Sequence, residues 1–379
     1  MQRLFYSYPE PLPSVNARTV TVVKSCAALQ ELFQLSLITI RETSARELIE
    51  KFYAVTLDRT ELIPLRKSCL GWTSMAFYHF ELRRLLAARG PAIIFVRHLK
   101  TAAYLLKNRR PGWVIVFESH EIMFLTTTKK NRQQQLQQLE AYVYQNVDGL
   151  VFISETLRDD LNQQFALRPD RRQIVLPLGA DVPAEKPRKD FSHINEVFYT
   201  GSLHAWKGVD CLIRAMTMVP PAIKLRLVGR ADDQRRTELE KLVGECGLAG
   251  RVIFTPPLKH AELCQLLTTQ SKLCVLPNVP TVFDRYTSPL KLFEYMGTNN
   301  IIVYSKIPAL ARLTGELPMG IGVEPGSADS LAQAITAVCE NPSRHEPLAE
   351  NAFRLSQQYS WVARARHLQK FFQTLASPA

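Results

Sequence analysis

Short apolar runs alternate with amphipathic helical patterns along the first half of the chain. The runs, which are rich in β-branched and aromatic residues, lie at 4–8, 35–40, 92–96, 113–117 and 149–153. The helical patterns between them include residues 18–32, 132–144 and 155–164. This alternation predicts a parallel sheet with helices on both of its faces.

The alternation restarts after a segment rich in proline and charge, residues 183–190, which we expect to be a linker. Strands are predicted at 196–200, 224–228, 252–255, 273–276 and 301–304, with helices at 209–216 and 235–243. We therefore expect an α/β protein of two Rossmann-like doubly wound domains, residues 1–184 and 191–358, facing a central cleft. Ligands of such sheets bind at the carboxyl ends of the strands.

Size and composition are those of an ordinary globular protein. The chain has 379 residues, which favours two domains, and 46% of them are hydrophobic. It has no apolar run of about 18 residues and starts without a signal-peptide core, so we expect neither a transmembrane helix nor secretion. Its seven cysteines form no Cys-x-x-Cys pair, which favours reduced thiols in the cytoplasm over disulfides or a zinc site.

The formal net charge of +12 suggests an anionic partner. We do not expect nucleic acid, because no helix-turn-helix, RNA-recognition or zinc-finger pattern accompanies the charge. Basic residues recur beside apolar ones at 66–67, 83–89, 97–100 and 107–110. Such stretches suit the inner face of an anionic membrane, and solvated helix faces are the alternative.

The segment Ser288-Pro289-Leu290-Lys291 changes from a loop to a helix at its proline. Proline suits the start of a helix, where its missing N–H would be unpaired. The free amides of a first turn attract anions, and Lys291 adds a full positive charge. Glu294, one turn further on, can accept hydrogen bonds from sugar hydroxyls. A nucleotide diphosphate suits this arrangement.

A second motif leaves the first predicted strand of the second domain. Gly201 permits a tight turn, and Lys207-Gly208 stands where the following helix begins. A lysine near a helix start favours an anionic ligand. Since short Gly/Lys motifs are weak alone, it is the combination with Ser288–Lys291 that predicts phosphate binding.

With these motifs the second half resembles retaining GT-B glycosyltransferases, especially family 4 (glycosyl transferases group 1). The matching segments are Trp206-Lys207-Gly208-Val209-Asp210, Leu227-Val228-Gly229, 288–296 and Ile301-Ile302-Val303. In the first half, Val151-Phe152-Ile153-Ser154-Glu155 and 174–181 are looser matches. Residues 359–379 look like the family's C-terminal helix, which crosses back to the N-terminal domain.

The resemblance implies roles for individual residues. Lys207 and the backbone of Ser288 to Lys291 would contact the donor diphosphate, and Glu294 the ribose. His120, after a first-domain strand, would lie near the donor sugar. The implied catalytic residues are His120, Lys207 and Lys291. The implied donor-binding residues are Gly201, Ser202, Lys207, Gly229, Arg230, Leu258, Asp284, Arg285, Ser288, Pro289, Leu290, Lys291 and Glu294.

Two positions depart from the family pattern. Tyr286 replaces the first glutamate of the family's Glu-x7-Glu pair, and Asp284 is the suggested substitute. Ser202 stands where the family has an arginine, so Lys291 or Arg285 would supply that charge. For the acceptor the sequence suggests Asn16. The fold generally works without a metal, and we expect no cofactor beyond the UDP- or GDP-linked donor.

The sequence therefore predicts a retaining glycosyltransferase that uses a nucleotide-sugar and a glycan or lipid-linked acceptor in polysaccharide or glycoconjugate synthesis. We expect it in the cytoplasm, peripheral at the inner face of the membrane. A catalytically degenerate nucleotide-sugar-binding module and a nucleotide-sugar epimerase of the same fold stay open as alternatives. Donor turnover, with and without an acceptor, separates the three.

Overall fold

The structure is a computed structural model that describes residues 1–14, 16–69, 72–127, 129–281, 285–286, 288–314 and 319–376. It divides into two compact units. The first consists of Met1–Leu178 and the C-terminal segment that begins at Trp361, and the second of Gly179–Ser360. Within the described residues, no helix is both long enough and apolar enough to cross a bilayer.

The first unit is built on a parallel sheet. Its strands are β1 (Arg3–Ser7), β2 (Gln34–Ile40), β3 (Glu61–Leu65), β4 (Ser68–Cys69), β5 (Trp72–Thr73), β6 (Ala92–Val96), β7 (Trp113–Ser119), β8 (Gly149–Phe152) and β9 (Gln173–Val175). β4 and β5 form a short antiparallel pair, and the others form one sheet in the order β3-β2-β1-β6-β7-β8-β9. The winding direction reverses between β1 and β6, where sheets of this type bind ligands.

Helices cover this sheet. They are Ala17–Leu29, Arg46–Tyr53, Met75–Arg89, Leu99–Lys107, Met123–Thr126, Lys130–Asn146, Glu155–Gln164 and Trp361–Ala376. The last of them belongs to the core of the first unit: the ring of Phe372 lies 5.5 Å from that of Phe95 and 5.9 Å from that of Phe33. The C-terminal helix is therefore fixed to the first unit by buried aromatic packing.

The second unit repeats the plan. Its strands are β10 (Glu196–Thr200), β11 (Lys224–Val228), β12 (Val252–Thr255), β13 (Leu273–Leu276), β14 (Ile301–Ser305) and β15 (Ile321–Val323). All are parallel, in the order β12-β11-β10-β13-β14-β15. The α-helices are Val209–Ala215, Asp233–Glu245, His260–Thr269, Leu290–Gly297, Pro308–Thr314, Ala328–Glu340 and Pro342–Ser356, with 3₁₀ turns at Ala205–Lys207 and Gln357–Tyr359. The switch point lies between β10 and β13.

The predicted doubly wound α/β class is confirmed for both units, and the central strands lie where the apolar runs predict them. Among the described residues, five strands lie where we predicted no element: β4 and β5 form the short antiparallel pair, and β3, β9 and β15 form edges of the two large sheets. β3 contains Pro64, which an edge strand tolerates because one side of its backbone needs no partner. Edge strands are short and less apolar, so they leave a weaker pattern than central ones.

The predicted linker, residues 183–190, lies within the second unit and is bonded to it. The ammonium of Lys189 donates to the carbonyl oxygens of Leu267 and Ser271 at 2.7 Å and to Asn300 Oδ1 at 2.8 Å. Asn299 Nδ2 donates to the carbonyl of Pro187 at 2.9 Å. This segment, rich in proline and charged residues, is thus an irregular stretch of backbone that is anchored to the second unit.

Candidate functional site

Two glycine turns touch at the carboxyl ends of β10 and β11. A Cβ on Gly229 would lie 1.7 Å from the carbonyl oxygen of Gly201, so no side chain fits there. Leu203 N–H donates to the carbonyl of Arg230 at 2.9 Å and joins the two turns further on. Glycine at these positions brings backbone, instead of side chains, to the edge of the sheet beside the switch point.

The lysine-glycine motif packs against the other side of the switch point. Gly208 has a φ of +75°, and a Cβ there would lie 1.8 Å from the carbonyl oxygen of Pro277, which follows β13. This contact fixes the start of the helix Val209–Ala215. Just before it, Lys207 Nζ lies 3.7 Å from the centre of the Trp206 ring, a cation–π distance.

The helix Leu290–Gly297 begins directly after Pro289 and is bonded to β10. The hydroxyl of Tyr295 accepts from the backbone N–H of Thr200 at 2.8 Å and lies 3.0 Å from its Oγ1. Lys291 Cε lies 3.9 Å from the place that a Cβ on Gly201 would occupy. The structure thus brings the two predicted phosphate motifs, 90 positions apart in sequence, to one edge of one sheet.

Glu294 is buried next to positive charge. It is 6% exposed, and Lys291 Nζ donates to its Oε2 at 2.8 Å. His260 Nδ1 lies 4.0 Å from Oε1 of the same carboxylate. A paired carboxylate of this kind is held in one orientation and retains lone pairs for further donors.

His260 belongs to a cluster that the sequence analysis missed. Its Nε2 lies 3.0 Å from Asp181 Oδ2 and 3.5 Å from Cys264 Sγ. Burial alone would lower the pKa of His260, but the hydrogen bonds with Asp181 and Cys264 raise it to about 9. The three ligand-type atoms lie within 4.8 Å of one another. The spacing of His260 and Cys264, four residues apart on one helix, was the available signal.

The remaining predicted donor residues differ in their surroundings. Ser288 and Pro289 are buried, Gly201, Ser202, Gly229, Leu258 and Leu290 are half-buried, and Arg230 and Arg285 are exposed. Tyr286, at the position of the family's first glutamate, is 4% exposed. Asp284, its suggested substitute, lies outside the described residues. The exposed Asn16 stands at the start of the helix Ala17–Leu29, where its carbonyl accepts from Thr19 N at 2.9 Å.

His120 directly follows β7 and takes part in a buried polar network in the first unit. Its Nε2 lies 2.9 Å from Oε2 of Glu118, which is fully buried. The other oxygen, Oε1, accepts from Arg364 Nη2 at 2.5 Å. Arg97 Nη2 donates to His120 Nδ1 at 3.2 Å. Tyr6 OH completes the group with a bond of 3.3 Å to Glu118 Oε2.

The protonation states of this network follow from its charges. Although burial would raise the pKa of Glu118, the neighbouring His120 and Arg364 hold it well below its usual range. Burial, and then the charge of Arg97, lower the pKa of His120 to about 4. At neutral pH the imidazole is therefore neutral. Because a guanidinium only donates, Nδ1 accepts from Arg97 and the ring proton is on Nε2.

Two families match most of the chain. "Glycosyl transferase 4-like domain" matches residues 19–179, and "Glycosyl transferases group 1" matches residues 194–341. The D-inositol 3-phosphate glycosyltransferase of Corynebacterium kroppenstedtii is 24% identical over 254 residues, which are 62% of this chain and 55% of that protein. The alpha-D-kanosaminyltransferase of Streptomyces kanamyceticus is 24% identical over 81% of this chain and 76% of that protein. The chain thus matches about half the length of the first of these relatives.

Solved structures show the same fold. Sucrose-phosphate synthase from Thermosynechococcus elongatus has a TM-score of 0.78 at 18% identity, with 99% of each chain covered. HepE of Anabaena in complex with UDP has a TM-score of 0.77 at 17% identity and covers 99% of this chain and 100% of its own. At these identities the likeness establishes architecture alone. With a glycosyl transferase 4-like domain followed by a group 1 glycosyl transferase domain, the chain belongs to the glycosyltransferases of the GT-B fold.

Proposed function

We propose that the protein transfers a sugar from a UDP- or GDP-linked donor to a glycan or lipid-linked saccharide, with retention of anomeric configuration. The proposal rests on one observation: Lys291 lies beside the Gly201 turn, at the switch point of the second unit. A diphosphate suits this place, because glycine leaves the backbone amides accessible and because the helix start and the lysine attract negative charge. HepE, of the same fold, has been solved with UDP and with UDP-glucose.

The proposed roles follow from charge. Lys207 and Lys291 neutralise the diphosphate as it leaves with the bonding electron pair, which lowers the barrier by electrostatic stabilisation. Glu294 accepts hydrogen bonds from the ribose hydroxyls. His120 is neutral at pH 7, and its two ring nitrogens face Arg97 and Glu118, so its proposed role toward the donor sugar is to shape the site and not to act as a charged acid. The protein then acts chiefly by positioning its substrates.

Calorimetric titration with UDP and GDP tests the donor site. Lys291→Met should weaken binding of the preferred nucleotide about 10- to 100-fold, the range of one charge-assisted hydrogen bond of about 1.5–3 kcal/mol. Lys224→Met is the matched control, because Lys224 is exposed and begins β11, at the opposite end of that strand from Gly229. Equal affinity in the wild type and Lys291→Met would contradict the assignment. Nucleotide binding without sugar transfer to any acceptor would favour the degenerate module.

We also propose that the first unit contacts an anionic membrane surface. On the helix Met75–Arg89, Phe77 is 39% and Phe80 is 64% exposed, and Arg83 and Arg84 are exposed one turn further on. Exposed aromatic rings followed by arginines suit insertion at an acidic lipid interface.

Sedimentation with vesicles tests the membrane contact. The protein should bind vesicles of phosphatidylcholine and phosphatidylglycerol at low salt and be released at about 0.5 M salt, where exposed charges are screened. Replacing both Phe77 and Phe80 with serine should weaken binding, whereas Met218→Ser, at an exposed site in the second unit, should not. Equal recovery in the supernatant with acidic and neutral vesicles would overturn the proposal.

A further inference from the structure

The polar network of the first unit contains an uncompensated positive charge. Arg364 and Glu118 neutralise each other at 2.5 Å, and His120 is neutral. Arg97 adds a further positive charge, and among the described residues no carboxylate oxygen lies within 4.0 Å of its guanidinium. A half-buried arginine without a counter-charge loses part of its hydration and gains no ion pair in return.

The network holds Arg97 in one orientation. Its Nη1 donates to the carbonyl of Arg18 at 3.1 Å, and its Nη2 donates to His120 Nδ1 at 3.2 Å. These two bonds use two of the five N–H donors of a guanidinium. His120 Nε2 lies 2.9 Å from the carboxylate of Glu118, which is in turn held by Arg364 of the C-terminal helix. Arg97 is thus a pre-oriented donor, so little side-chain entropy is lost when it binds a ligand.

Arg97 lies at the switch point of the first sheet, where sheets of this type bind ligands. It directly follows β6, and the helix whose first turn contains Arg18 follows β1. β1 and β6 are the two strands at which the winding of this sheet reverses. The carboxyl ends of strands at such a switch point are where doubly wound sheets bind ligands.

We propose that Arg97 binds an anionic group of the acceptor, of the phosphate class, and so selects acceptors that carry one. This inference rests on the proposed function, because it supposes an acceptor. A phosphate matches the fork of a guanidinium and supplies the missing negative charge. The site consists of Arg97 together with His120, which orients it, and Arg97 is therefore a specificity-determining residue.

Inorganic phosphate is the probe. The ring resonances of His120 are followed by NMR on protein with labelled histidine, at an ionic strength held constant with sodium chloride and with assignment by His120→Gln. Phosphate should shift these resonances saturably in the wild type. Arg97→Met should lower the phosphate affinity at least about 10-fold, and Arg97→Lys, which keeps the charge without the fork, should lose less. Arg110→Met, exposed and before β7, is the control.

The UDP affinity of Arg97→Met shows whether the phosphate that Arg97 binds belongs to the acceptor or to the nucleotide donor. If the site serves the acceptor, this variant binds UDP as the wild type does. The proposal is overturned if phosphate leaves the His120 resonances of the wild type unchanged, if Arg97→Met binds phosphate equally well, or if Arg97→Met loses UDP binding. Failure of the proposed function has a different signature, because a wild type that binds no nucleotide would still respond to phosphate.

Discussion

Asp181→Asn should remove the interaction that keeps His260 protonated at neutral pH. The imidazole is 11% exposed, and its Nε2 lies 3.0 Å from Asp181 Oδ2. In the wild type the pKa of His260 is raised to about 9 despite burial, which alone would lower it. Without the charge of Asp181, the protonated imidazole loses most of the electrostatic stabilisation that offsets its burial. The pKa of His260 should therefore fall toward its ordinary value.

The size of the effect follows from linkage. A rise from 6.5 to about 9 corresponds to a stabilisation on the order of 3 kcal/mol, at about 1.4 kcal/mol per pKa unit, and solvent at the 41%-exposed Asp181 reduces it. Because the pKa in the folded state is the higher one, this stabilisation is complete below the unfolded pKa, about 6.5. It is lost as the pH rises through about 9.

Two measurements check this prediction. NMR titration of the His260 ring gives its pKa directly, and urea unfolding at pH 6 and pH 9.5 gives the pH dependence of the free energy of unfolding. The wild type should lose more stability than Asp181→Asn between these two values. Asp233→Asn, at an exposed aspartate of the same unit, should behave as the wild type. A wild-type His260 that titrates near 6.5, or an unchanged pKa in Asp181→Asn, would refute the reasoning.

Three further outcomes are expected. Gly229→Ala should destabilise the second unit by about 2 kcal/mol or more, because its Cβ would lie 1.7 Å from a carbonyl oxygen. Gly244→Ala, at a helical position with open space around it, should be neutral or stabilising. Thermal unfolding of the two variants checks this difference. Arg364→Met should cost about 3–5 kcal/mol by removing the guanidinium that pairs with the fully buried Glu118, whereas the exposed Arg366→Met should change the free energy of unfolding by less than about 0.5 kcal/mol. Dialysis against EDTA should leave nucleotide affinity unchanged in calorimetry, because Lys207 and Lys291 are proposed to balance the charge of the diphosphate without a metal.

The fold could be predicted because its signal is local. Central strands of a parallel sheet are buried on both faces, so β6 and β13 are continuous apolar runs of the kind that the sequence displays. The phosphate motifs are also local: each is a glycine or proline at a turn with a lysine within a few residues. Their meeting at one edge follows from the strand order, which the spacing of strands and helices suggests.

The polar networks could not be predicted, because their partners are far apart in sequence. Arg364 and Glu118 are separated by 246 positions, and His260 and Asp181 by 79. Within the C-terminal helix, both Arg364 and Arg366 are basic residues of an amphipathic pattern, yet one is 3% exposed and the other is exposed. That difference depends on which helix face packs against the first unit, and this packing is a tertiary property.

The buried Tyr286 changes how the charge of the candidate donor site is understood. At 4% exposure, a glutamate at this position would be largely desolvated and would need a positive partner of its own. With tyrosine there, the buried carboxylate of Glu294 faces Lys291 and the protonated His260 without a second carboxylate at position 286. Lys207 adds further positive charge at the same sheet edge. The tyrosine at position 286 therefore offsets the absence of the family's arginine at position 202, so the proposed diphosphate site keeps the net charge of the family pattern, with Lys207 and Lys291 as its cations, while the proposed contacts to the donor sugar fall to other residues.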